Sequence, residues 1–165
     1  DARFAGEPVP SLEEVLMARK GGKCRPVIEI KGKGISKAVV DAVKRAGMVQ
    51  EASIIAFDAT AVKEVRSLEP GIECAWLSSK EPEGTPEQQA DAIAAEAREC
   101  RAVVVNLNFN MLSRELVTSL KARNLGVWCW TVNDPAVARA LMAWGVDAIT
   151  TNRPAWLRGQ LAKPD

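Results

Sequence analysis

The chain has 165 residues, with 22 Lys and Arg against 21 Asp and Glu, for a formal net charge of +1. That length suits one domain able to bury about 70% of its unfolded surface, and its 47% hydrophobic and 26% charged residues are a globular balance, not a disordered one. Near-neutral charge argues against an electrostatic nucleic-acid partner, and the apolar run Ala140–Trp144 falls far short of the about 20 residues that a membrane-spanning helix needs.

The first helix is expected after Pro10, where Ser11 and Glu14 form a capping box that satisfies backbone N–H groups of the opening turn. A strand follows at Arg25–Ile30, then a helix at Ser36–Ala46 that stops at Gly47. The next strand, Ala52–Phe57, leads into a helix capped by Asp58. Pro70 and Gly71 mark a turn before the strand Ile72–Leu77. Thr85, with Pro86 and Gln88, opens another helix by the same capping logic. The valine-rich strand Ala102–Asn106 precedes a helix at Ser113–Arg123. The strand Val127–Thr131 is followed by a helix started by Asp134 and Pro135. Last come a strand at Ala148–Thr151 and a helix from Pro154.

Six strands separated by helices must run parallel, because a helical crossover returns the chain to the same end of the sheet. The expected class is α/β, either an open doubly wound sheet or part of a (β/α)₈ TIM-type barrel. One domain spans 1–165, with no internal boundary.

The chemistry is bounded by absences. There is no histidine and no tyrosine, so these residues alone build neither a Ser-His-Asp triad nor a histidine-ligated metal site. Cys24, Cys74, Cys100 and Cys129 are too widely spaced for a CxxC motif and read as small buried hydrophobes. Asp1 is followed by no signal-peptide pattern, which is the expectation for a processed product or a fragment; the compartment is not legible.

Ligands of parallel α/β sheets bind beyond the carboxyl ends of the strands. Those ends place Glu29, Lys31, Asp58, Ser78, Asn106, Trp130, Asn133, Asn152 and Arg153 at one rim. Val27, Glu29 and Lys31 share a face by strand alternation. A carboxylate in a sheet buried on both faces requires a cation or several donors, which makes Glu29 a candidate metal ligand, or the partner of Lys31. Trp130, nearest the rim, is a candidate flat wall for a small substrate, or a core residue. Gly32 and Gly34 in Lys31–Lys37 resemble an incomplete dinucleotide-binding loop with Asp58 as the ribose acid; a flexible turn is the alternative.

Taken in order, Val9–Leu16 (VPSLEEVL), Val27–Lys31 (VIEIK), Ile54–Asp58 (IIAFD), Gly126–Asp134 (GVWCWTVND) and Gly145–Pro154 (GVDAITTNRP) resemble the glycerophosphodiester phosphodiesterase family. The resemblance implies the later part of a (β/α)₈ barrel, six of its eight βα units. It also implies hydrolysis of small glycerophosphodiesters to glycerol 3-phosphate and an alcohol, assisted by Mg²⁺ or Ca²⁺. Carried over by position, Glu29 resembles a metal ligand, Lys31 the catalytic lysine facing the substrate phosphate, and Trp130 the tryptophan beside the glycerol. The family's opening histidine-bearing strands have no counterpart here. Activity is thus expected to need an N-terminal piece that completes the barrel. A non-catalytic module that binds a phosphate ligand, or associates with itself as a homo-oligomer, is the other expectation.

Overall fold

The computed structural model describes residues 4–162. After α1 (Leu12–Arg19), strands and helices alternate: β1 (Val27–Glu29), α2 (Ser36–Arg45), β2 (Ser53–Ala56), α3 (Ala59–Leu68), β3 (Glu73–Ser78), α4 (Pro86–Cys100), β4 (Val104–Asn108), α5 (Arg114–Ala122), β5 (Gly126–Trp130), α6 (Pro135–Trp144), β6 (Ala148–Ile149) and α7 (Pro154–Leu161). Both expected capping boxes form, Ser11 with Glu14 and Thr85 with Gln88. Asp58 and Asp134 cap α3 and α6.

The six strands make one parallel sheet in the order β1-β2-β3-β4-β5-β6. Every strand therefore neighbours its successor in sequence, as in a barrel, and the sheet forms a half-barrel. A sequential order has no point at which the strand order reverses, which is where a doubly wound sheet binds a dinucleotide. The dinucleotide reading of the Lys31–Lys37 loop is corrected accordingly: Asp58 Oδ1 is occupied by the Thr60 N–H at 2.9 Å. The two glycines have local reasons instead. Gly34 has φ +70°, and a Cβ on Gly32 would meet Ile35 Cδ1 at 3.1 Å.

Side chains alternate across each strand. One set, including Ile54, Cys74, Val105, Leu107, Val127 and Cys129, packs with Val43, Val62, Ile93, Leu116, Leu120 and Leu141 of the helices as the main core. The other set faces the concave side, and the register follows it across the sheet: Glu29 opposite Ile55, Ile55 opposite Ala75, Leu77 opposite Asn106, Asn106 opposite Trp128. Three cysteines are buried as expected, whereas Cys24 is exposed, in the turn before β1.

Two boundaries differ instructively. β4 begins at Val104 rather than Ala102, because the Ala102 amide turns back to the Ala97 carbonyl at 2.8 Å and closes α4. The strand then runs on to Asn108, so Asn106 lies within it and is only 1% exposed rather than standing at its end. β6 is two residues long instead of four, although Thr150 N still donates to Cys129 O at 2.8 Å.

Candidate active site on the concave rim

Glu29 is the last residue of β1, and Lys31 stands two positions further along the same face. Lys31 Nζ lies 3.6 Å from Glu29 Oε2, with the side chains 79% and 32% exposed respectively. An ion pair this open is worth no more than about 1 kcal/mol, so it leaves the ammonium accessible from solvent. Glu29 does not meet the desolvation expected of a carboxylate in a sheet buried on both faces. β1 is an edge strand, paired only with β2 among the described residues, and the open side lets water reach the carboxylate. Glu29, Ile30, Lys31, Gly32, Lys33, Phe57 and Asp58 line a cleft of about 300 Å³. A larger cleft, about 620 Å³, is lined by Trp76 and Ser78 at the end of β3, by the loop residues Lys80–Glu83 that follow, and by Ala92, Ile93 and Glu96 of α4.

Trp130 ends β5 and meets Phe57, the residue just after β2, edge to face, with ring centroids 5.5 Å apart at 84°. Flat strands three places apart would be separated by about 14 Å; curvature and two long side chains close that distance over β3 and β4. Phe57 is 49% exposed, and no local pattern in IIAFD distinguishes it. Its place in the wall comes from a contact spanning 73 residues, which sequence periodicity does not register. The Trp130 indole N–H donates to the Asn106 carbonyl at 3.1 Å, fixing the ring plane. Trp128, on the same face, is half-buried.

The other rim candidates serve the loops. Asn133 Oδ1 accepts from Thr151 Oγ1 and from Asn152 N, each at 3.0 Å. Ser78 Oγ accepts from Lys80 N at 3.2 Å. Arg153 stacks on Trp156, 3.9 Å from the ring centroid.

Phe57 thus shares a cleft with Glu29 and Lys31 and carries the ring contact to Trp130, which sets charge beside an apolar face as would suit a ligand with an anionic group and a short carbon chain. The rim's means of acid–base chemistry are limited. Among the described residues, no group of three or more His, Cys, Asp or Glu could hold a metal ion. Glu29 alone does not make a site for Mg²⁺ or Ca²⁺, since such ions take about six or more oxygen ligands.

The model of the glycerophosphoryl diester phosphodiesterase family matches residues 1–156. YhdW of Bacillus subtilis, named for the same activity, is 29% identical over 158 residues, covering 93% of this chain and 63% of that protein. Glycerophosphodiester phosphodiesterase GDPD4 of Arabidopsis thaliana is 23% identical over 157 residues, covering 92% of this chain and 46% of that protein. The chain therefore spans about half to two-thirds of the length of these curated relatives. A solved structure from Silicibacter pomeroyi, assigned to the same activity, superposes with TM-score 0.77 at 25% identity, over 93% of this chain and 56% of that one. A phosphodiesterase of Oleispira antarctica, solved with its product sn-glycerol-3-phosphate, has TM-score 0.71 at 18% identity over 93% of this chain and 62% of that one, a likeness of fold. With the family model matching residues 1–156, and a sequential parallel strand order beside it, the chain belongs to the glycerophosphoryl diester phosphodiesterase family.

Proposed function

We propose that this chain forms the later portion of a glycerophosphodiester-hydrolysing barrel, and that its concave rim takes the phosphate and the glycerol. The observation that supports the reading is the cleft that Glu29 and Lys31 share with Phe57, whose ring in turn meets Trp130 edge to face. Lys31 would pair with non-bridging phosphoryl oxygens, offsetting charge that grows as the P–O bond to the alcohol breaks. Trp130 and Phe57 would hold the carbon face of the glycerol and exclude water from it. Glu29 would supply one oxygen to a divalent cation only when further carboxylates join it.

Under this reading, the remaining ligands and a proton-transferring group come from two further βα units placed beside β1 and β6, in the same polypeptide or in a separate piece. The 165-residue chain alone is then expected to leave glycerophosphocholine intact. Joined to the N-terminal βα units of a family member, it should hydrolyse it, and Lys31→Met should cut kcat by about 10²-fold, in the range seen when a transition-state donor is removed. Hydrolysis by the isolated chain, abolished by Glu29→Gln, would overturn the requirement for the additional units.

The open edges favour one further reading, self-association. An unpaired edge strand is a template for another chain, and β1 and β6 each have a neighbour on one side only among the described residues. Light scattering decides this: a monomer removes it, and a dimer disrupted by Val27→Lys supports it.

A further inference from the structure

We propose that Asn133 is a positioning residue for Trp130, clasping the two rim turns that hold the aromatic wall; this rests on the reading of Trp130 as part of the substrate site. β5 is followed at once by the segment 131–134, and each tie on that segment is visible. Val132 N donates to Thr150 O at 2.8 Å. Asp134 Oδ1 accepts from Ala136 N at 2.7 Å and Val137 N at 3.2 Å, fixing the far end to α6. Between them, Asn133 Oδ1 takes both the Thr151 hydroxyl and the Asn152 amide at 3.0 Å, while Thr151 Oγ1 accepts from Arg153 N at 3.2 Å. The orientation of the carboxamide follows from its partners, because a backbone N–H only donates and must face the oxygen.

The clasp matters because of where it sits. β6 is a two-residue edge strand, and short edges fray unless something else holds them. Asn133 ties the turn after β6 back to the turn after β5. The Val132–Thr150 pair beside Trp130 is thereby protected from opening. On its other side, Trp130 is held by the Asn106 carbonyl and by Phe57. Losing the clasp would free one side of the ring and leave the other in place.

The test separates acceptor chemistry from bulk. Asn133→Asp keeps both acceptor positions, whereas Asn133→Leu keeps the size and removes them. The chain is labelled with fluorotryptophan, and the Trp130 resonance is assigned by Trp130→Phe in ¹⁹F NMR. Asn133→Leu should displace or broaden that resonance beyond its wild-type linewidth. Asn133→Asp should leave it at the wild-type position, and Thr151→Val, which removes one of the two donors and tests the same clasp should Asn133→Leu not fold, should shift it by an intermediate amount. A Trp130 signal unmoved by Asn133→Leu and Thr151→Val, or moved equally by Asn133→Asp, overturns the proposal. Titration of the wild type with glycerol 3-phosphate reads the other claim separately: an unresponsive Trp130 signal counts against the substrate wall and leaves the clasp standing.

Discussion

Lys31 and Glu29 illustrate how a residue pair changes meaning with its surroundings. On alternation alone they share a face, and that was legible in VIEIK. Their exposure was not, because it depends on whether a second strand lies against β1. The cysteines divide for the same kind of reason. Burial pushes the Cys74 and Cys129 thiols up to about 12 and raises Cys100 as well, so all three stay protonated and shielded at neutral pH. Cys24 is exposed. Titration of the native chain with a thiol-reactive disulfide should therefore show one fast thiol, lost in Cys24→Ser, with the other three reacting only after unfolding. Fast reaction of more than one thiol would show that the core opens more readily than its packing implies.

At the scale of elements, short-range devices were readable and long-range ones were not. Ser11 with Glu14 and Thr85 with Gln88 are three residues apart, so backbone geometry alone brings them together. Removing the Thr85 hydroxyl by Thr85→Ala should cost about 1 kcal/mol, measured by urea unfolding, and an unchanged midpoint would show that the box is energetically idle. Asp147, by contrast, has no signal in the sequence. Its carboxylate accepts from Val127 N at 2.8 Å and pairs with Lys121, while Asp147 N donates to Val127 O at 2.7 Å. Partial burial raises the carboxyl pKa, but the Lys121 and Val127 bonds outweigh it and hold the group below its ordinary value. A depressed carboxylate contributes stability above its unfolded pKa of about 3.9 and loses it as pH falls through the lower folded value. Asp147→Asn should thus cost about 1 kcal/mol at pH 7, a modest figure because the group is partly exposed, and the difference from wild type should shrink as pH falls below the unfolded value and through the lower folded one. A difference that persisted in acid would show that packing, not charge, is at stake.

At the largest scale, the described residues form a curved parallel sheet with helices packed against one face and the proposed site on the other. The strand–helix alternation that produces it could be read along the chain, since each βα unit announces itself by a local change of hydrophobic period. Curvature was legible only through the family resemblance, because it resides in the sequential strand order and in contacts such as that between Phe57 and Trp130, which no local period registers. Lys31 and Phe57 line one cleft at the rim, and Phe57 meets Trp130; that these residues together take the substrate is the central claim. It is tested most directly by titrating the isotopically labelled chain with glycerol 3-phosphate and following backbone and indole resonances. The account predicts shifts confined to Lys31, Gly32, Phe57 and the Trp130 indole, lost in Lys31→Met; shifts elsewhere, or the same shifts in Lys31→Met, would contradict it.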